Sequence, residues 1–142
     1  MNGIPEQGLR GKIAHLLRAP RFWAPVAVAS VIFASSQVPG EAIPEQPFYG
    51  FDKVVHGCFY TALCLCLCAA PGVRRWKERP FAMAFLAALS TALFGALDEL
   101  HQSFVPDRSP SFDDWAVDAS MGLLFSCVAL LAALRARRSS RG

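Results

Sequence analysis

The feature that most constrains this chain is the grouping of its apolar residues into four long blocks, Phe22 to Val38, Val54 to Ala70, Phe81 to Leu97 and Trp115 to Leu134. A helix that crosses a bilayer needs about 20 mostly apolar residues, or about 17 at the short end. Each block approaches that length and is bounded by charge or proline. A soluble helical core would instead need amphipathic helices with a wet face, yet residues 81–97 contain no charged side chain. At 142 residues and 54% hydrophobic, with a mean hydropathy of +0.33, the chain is the length of one domain and too apolar for an ordinary soluble one. The predicted fold is all-α, an integral membrane four-helix bundle over residues 22–134. Basic tails flank it at 1–21 and 135–142, and no internal repeat or second domain is visible.

Basic residues set the predicted orientation, because Lys and Arg in short loops stay on the cytoplasmic side. Arg10, Lys12, Arg18 and Arg21 precede the first block, Arg74, Arg75, Lys77 and Arg79 separate the second from the third, and Arg135, Arg137, Arg138 and Arg141 follow the fourth. Only Lys53 and Arg108 fall elsewhere, in connections that carry Glu41, Glu45, Asp52, Asp107, Asp113 and Asp114. Both termini are therefore predicted to be cytoplasmic. The formal charge of +3 is then a topology signal with some anionic-lipid contact, and no nucleic-acid partner is implied. A rival reading takes the basic leader and the apolar run ending at Ala34, Ser35 and Ser36 as a signal peptide. The length of the leader argues against it, and a short basic amphipathic helix around Leu9 to Leu17 is expected to lie on the membrane surface.

Proline and glycine mark the connections. The stretch from Pro39 to Phe51 reads as an outer loop, with the second helix beginning near Asp52; Pro71 and Gly72 end that helix and a basic inner loop follows. Pro80 opens the third helix, Phe104 to Pro110 forms another outer loop, and Ser111 starts the fourth with Asp114 three residues on, as in a capping box. Ala84, Ala88 and Ala92 on one helix and Gly122 with Ser126 on the next suit close backbone approach in lipid. Trp115 is expected to be an interfacial anchor, with Trp23 its counterpart on the inner side. Cys58, Cys64, Cys66, Cys68 and Cys127 all fall within spans, and each successive thiol at 64, 66 and 68 is turned about 200° around a helix, so the three cannot converge and neither a disulfide framework nor a metal cluster is implied.

Ionisable residues within spans are costly, at about 2.5 to 3.5 kcal/mol each near mid-bilayer, so several at one depth need a reason. Asp52, His56 and Tyr60 stand four apart and share a face of the second helix, with His56 about 6 Å deeper than Asp52. The third helix carries Asp98, Glu99, His101 and Gln102 at its outer end, and the fourth carries Asp114 and Asp118 on one face. The alternating direction of the helices brings all of these, with Lys53 and Arg108, to one outer layer. His56, Asp98, Glu99 and Asp118 are the candidate acid-base groups. Asp52, Lys53, Tyr60, His101, Gln102, Arg108 and Asp114 are candidates for contacting a ligand, the two cations by gripping an anionic head group. Plainer roles exist for some: Asp52 and Asp114 as helix N-terminal acids, Tyr60 as an interfacial aromatic with a wet hydroxyl. His and carboxylate donors also suit a divalent metal, but no His-Glu-x-x-His pattern is present and no cofactor is predicted.

Taken in order, Ser35-Ser36-Gln37, Asp52-Lys53-x-x-His56-x-x-x-Tyr60, Asp98-Glu99-x-His101-Gln102, Arg108 and Asp114-x-x-x-Asp118 resemble the VanZ-like family of small bacterial membrane proteins over residues 30–126. Many relatives carry Asn where this chain has Asp118. The family is named for a member associated with teicoplanin resistance, so the resemblance implies the bacterial cytoplasmic membrane and envelope biology without supplying a reaction. Three functional readings follow: a binding module whose outer pocket holds an envelope lipid or lipid-linked precursor, an enzyme acting on such a lipid by acid-base or metal-assisted chemistry, and a structural polar network that fixes helix packing.

Overall fold

Helix boundaries fall where the local chemistry sets them in the computed structural model, which describes residues 20–140. In chain order the helices are α1 (Pro20–Ser36), α2 (Phe51–Ala69), α3 (Gly72–Glu78), α4 (Pro80–Gln102) and α5 (Phe112–Ser139), with a short 3-10 turn at Gly40–Ala42. The amphipathic segment expected around residues 9–17 lies outside the described residues. Pro80 occupies the first turn of α4, where its missing N–H would have no intrahelical acceptor anyway. Gly72, at φ 76°, supplies the left-handed backbone that turns the chain sharply from α2 into α3.

The start of α5 departs from a simple capping box in an informative way. Ser111 Oγ accepts the Asp114 N–H at 3.2 Å, as the motif requires. The reciprocal contact is replaced on both sides: the Ser111 N–H donates to Glu99 Oε2 at 2.6 Å, and Asp114 reaches Lys53. The cap thus ties α5 to α4 and α2.

Residues 72–78, expected as loop, form α3. Trp76 is the reason: it is buried, and its indole N–H donates to the Cys68 carbonyl at the end of α2, 2.7 Å away. It joins Cys64, Cys68, Ala84 and Ala87 in a core completed by Leu130 and Ala133 of α5. The surrounding arginines and lysine hid this anchor in the sequence.

Helices α2, α4 and α5 pack on one another, and α1 lies against α2 and more lightly against α4. Those first three are long and apolar enough to cross a membrane; α1 is apolar but shorter, at 17 residues. Phe85, Leu89, Leu93 and Leu97 are exposed along α4, as are Leu124, Val128 and Leu131 on α5. Water would penalise such faces and hydrocarbon would not. The basic residues of α3 and of the end of α5 lie at one end of the packed helices, which we term the basic end. The connections 37–50 and 103–111 lie at the other, the polar end.

Small residues set the spacing. A Cβ at Gly122 would stand 2.8 Å from Thr91 Cβ and 3.5 Å from the Ala88 carbonyl oxygen, so α4 and α5 touch almost backbone to backbone. Trp115 takes part in this contact, donating its indole N–H to the Ala92 carbonyl at 3.0 Å and bridging two helices. At the polar end the Gly40 N–H donates to Pro106 O at 3.1 Å, and Gly40 lies so close to the Asp107 carbonyl that a Cβ would overlap it. All five cysteines are free thiols; Cys64 and Cys68 are buried, and Cys58 and Cys127 are exposed.

Gly122→Ala forces α4 and α5 apart and is expected to destabilise the protein by about 1–3 kcal/mol, whereas Leu123→Ala, at a residue 60% exposed, leaves the thermal midpoint in detergent nearly unchanged. Equal midpoints for the two variants would refute this account of the interface.

Candidate functional site

Four-residue spacing on α2 delivers Asp52, His56 and Tyr60 to the side that faces α4 and α5, at increasing depth and burial. Tyr60 is fully buried. Its ring stacks at 8° on His56, with centroids 6.1 Å apart. The hydroxyl lies beside Asp98 without a well-formed hydrogen bond, so it is dry and serves the interior, not the membrane interface.

The polar residues form three linked groups. In the first, Asp98 Oδ2 accepts from Ser36 Oγ at 2.8 Å and from Gln102 Nε2 at 3.1 Å, which joins the end of α1 to α4. In the second, His56 Nδ1 faces both carboxylate oxygens of Asp118, at 3.3 and 3.4 Å, and Glu99 completes a cluster whose donor atoms all lie within 4.8 Å of one another. The third is an ion-pair group in which Lys53 Nζ lies 2.7 Å from Asp114 Oδ1 and 3.5 Å from Asp52 Oδ2. Asp114 is thus both a first-turn acid of α5 and the main partner of Lys53.

Two predicted members stand apart from these groups. His101 packs its ring on Phe33 of α1, with centroids 4.5 Å apart, and leaves Nε2 buried without a hydrogen bond. Arg108 lines a cavity, and its Nε is likewise buried and unpartnered.

That cavity, about 460 Å³, lies between α1, the 42–47 stretch and α2. Ile32, Val38, Ile43 and Phe59 give it apolar wall, while Asp52, His56, Tyr60, Asp98 and Arg108 give it a polar side, with Glu45 contributed by the loop. Lys53, Glu99, Gln102, Asp114 and Asp118 do not line it. The cavity and the His56–Asp118–Glu99 cluster therefore meet at His56.

Some participants were not marked as site residues by the sequence. Gly95 lets α4 close over the cluster: a Cβ there would stand 3.2 Å from Asp118 Oδ2 and 3.3 Å from the Tyr60 ring. Its signal was a glycine inside an otherwise strong helical run, which costs about 1 kcal/mol relative to alanine and calls for a packing reason. The Ser111 N–H on Glu99 left no comparable trace, because a backbone donor has no side-chain signature.

No family model, curated protein or solved structure matches the chain.

Because Asp98 is almost completely buried, its hydrogen bonds cannot be replaced by water. Ser36→Ala is expected to lower stability by about 1–3 kcal/mol, and Gln102→Leu to do the same. Unfolding in mild detergent reads both. A Ser36→Ala protein as stable as the wild type would show that this bond does not hold α1 to α4.

Proposed function

We propose that this protein is a VanZ-like four-helix protein of the bacterial cytoplasmic membrane, oriented with both termini inside, whose outward-facing cavity binds the head group of an envelope lipid or lipid-linked precursor. The observation that carries this reading is a cavity with apolar walls on one side and, on the other, a cluster of charged groups that includes an arginine nitrogen without a partner. An amphiphile satisfies both halves: its chain follows Ile32, Val38 and Phe59, and its head group meets the polar side.

The charges of the lining define that head group further. Arg108 Nε, buried and unpartnered, suits an anionic oxygen such as that of a phosphate. Asp52 and Asp98, with Glu45 from the loop, suit hydroxyl or ammonium donors on the same molecule. Lys53 contributes indirectly, since its ammonium is held by Asp114 and Asp52 and does not line the cavity. The orientation rests on the concentration of basic side chains at the basic end, and α1, at 17 residues, is at the short limit of a spanning helix. The resemblance of the ordered motifs to those of the VanZ-like family is the support for an envelope role, including a bearing on teicoplanin susceptibility.

Protein purified from native membranes is expected to carry an amphiphile detectable by mass spectrometry. Arg108→Gln weakens its retention about tenfold, the loss of roughly one charge-assisted bond, while Arg75→Gln at the basic end changes nothing. Identical amounts of the same lipids on wild type and Arg108→Gln would end this reading. Orientation is checked separately, in a variant without native cysteines: a membrane-impermeant maleimide should label Ser103→Cys in intact cells and Ser139→Cys only after permeabilisation. The reverse pattern would invert the proposed topology.

A further inference from the structure

The second polar group sets two buried carboxyl groups against one imidazole. Asp118 is completely buried and Glu99 is 7% exposed. Two carboxylates at that depth are costly unless matched by cations or several hydrogen bonds. Their contacts are few: Asp118 meets the His56 ring, and Glu99 receives one N–H from Ser111 through Oε2. Glu99 Oε1 is buried with no partner at all. Lys53 is engaged by Asp114 and Asp52, and Arg108 faces the cavity. Among the described residues His56 is the only base in contact with the pair, and a single imidazolium offsets at most one of two anions.

We propose that His56, Glu99 and Asp118 bind a divalent transition-metal ion at the polar end of the helices. One nitrogen and two carboxylate oxygens, one from each of three helices, lie within 4.8 Å of one another. Ligands about 2.0–2.2 Å from a zinc ion stand about 3.3–3.6 Å apart in a tetrahedron, so rotations of the three side chains bring their donors into ligating range and leave a fourth position open. A mixed imidazole and carboxylate set favours zinc, manganese or iron over calcium or magnesium, which prefer oxygen alone. The ion neutralises both carboxylates and gives Glu99 Oε1 the partner it lacks. Close packing over the cluster, with Gly95 against Asp118 and Tyr60, shields it on the α4 side. Of the three ligands, His56 also lines the cavity. The inference does not depend on the lipid-binding reading, because the triad exists whatever fills the cavity.

Zinc is the probe. Full-length protein, purified in detergent through a tag without histidine, is loaded with zinc, dialysed and assayed by elemental analysis, with competition against a chelator to give affinity. Wild type is expected to retain stoichiometric zinc, and Asp113→Asn, at an exposed residue of the same helix, to match it. Glu99→Gln and His56→Gln are each expected to weaken binding by about 100-fold or more, since losing even an outer partner of a metal ligand costs about 10–100-fold. Should either variant fail to fold, X-ray absorption at the zinc edge of the wild type decides the matter. A shell of one imidazole with oxygen ligands supports the site, whereas sulfur ligands would assign the metal to the cysteines and overturn it. Loss of zinc from the wild type on dialysis, or unchanged affinity in folded Glu99→Gln and His56→Gln, also overturns it. Arg108→Gln, which tests the cavity reading, leaves zinc affinity unaltered, so the two readings can fail separately.

Discussion

The burial of three carboxylates, Asp98, Glu99 and Asp118, is the constraint on which the polar end depends. A polar group removed from water needs partners inside the protein, and here each takes those it has from a different element, with Asp98 Oδ1 and Glu99 Oε1 left unpartnered. Asp98 takes hydroxyl and amide donors from α1 and its own helix; Glu99 takes the backbone N–H that opens α5; Asp118 faces the imidazole of α2. The helices are therefore positioned at this end by directional contacts. At the basic end apolar contact around Trp76, Cys68 and Ala87 does the corresponding work.

Those contacts are possible only because the helices approach closely. Gly122 against Thr91 sets the distance between α4 and α5 in mid-helix, and Gly95 continues that fit up to Asp118 and Tyr60. In lipid the hydrophobic effect gives helices no reason to associate, since acyl chains are as apolar as leucine. Small residues and hydrogen bonds such as Trp115 to Ala92 supply the attraction instead. The residues that pack the helices and those that build the site thus belong to one continuous seam.

How much of this was legible in the sequence follows from the range of each interaction. Local rules located the helices well: Pro80 at the start of α4, Ser111 as the cap of α5, and the four-residue spacing of Asp52, His56 and Tyr60 all appear as read. Alternation of direction was enough to place the ionisable residues at one end. It was not enough to pair them, because pairing depends on helix rotation, which the pattern leaves free. Lys53 with Asp114, and His101 on Phe33 apart from the other acid-base groups, are outcomes of that rotation. Trp76 was missed for a different reason, since a single aromatic in a charged segment carries no periodic signal.

The separation of the cavity from the carboxylate cluster limits what each residue can do chemically. Asp118 has no exposed surface and does not line the cavity, so it cannot touch a ligand held there. Its influence passes through His56, which contacts Asp118 on one side and the cavity on the other. A carboxylate in that position orients the ring. An amide in its place would keep a hydrogen bond and lose the charge. The aspartate at position 118 therefore matters as a counter-charge beneath His56, the member of the His56–Glu99–Asp118 cluster that also lines the cavity.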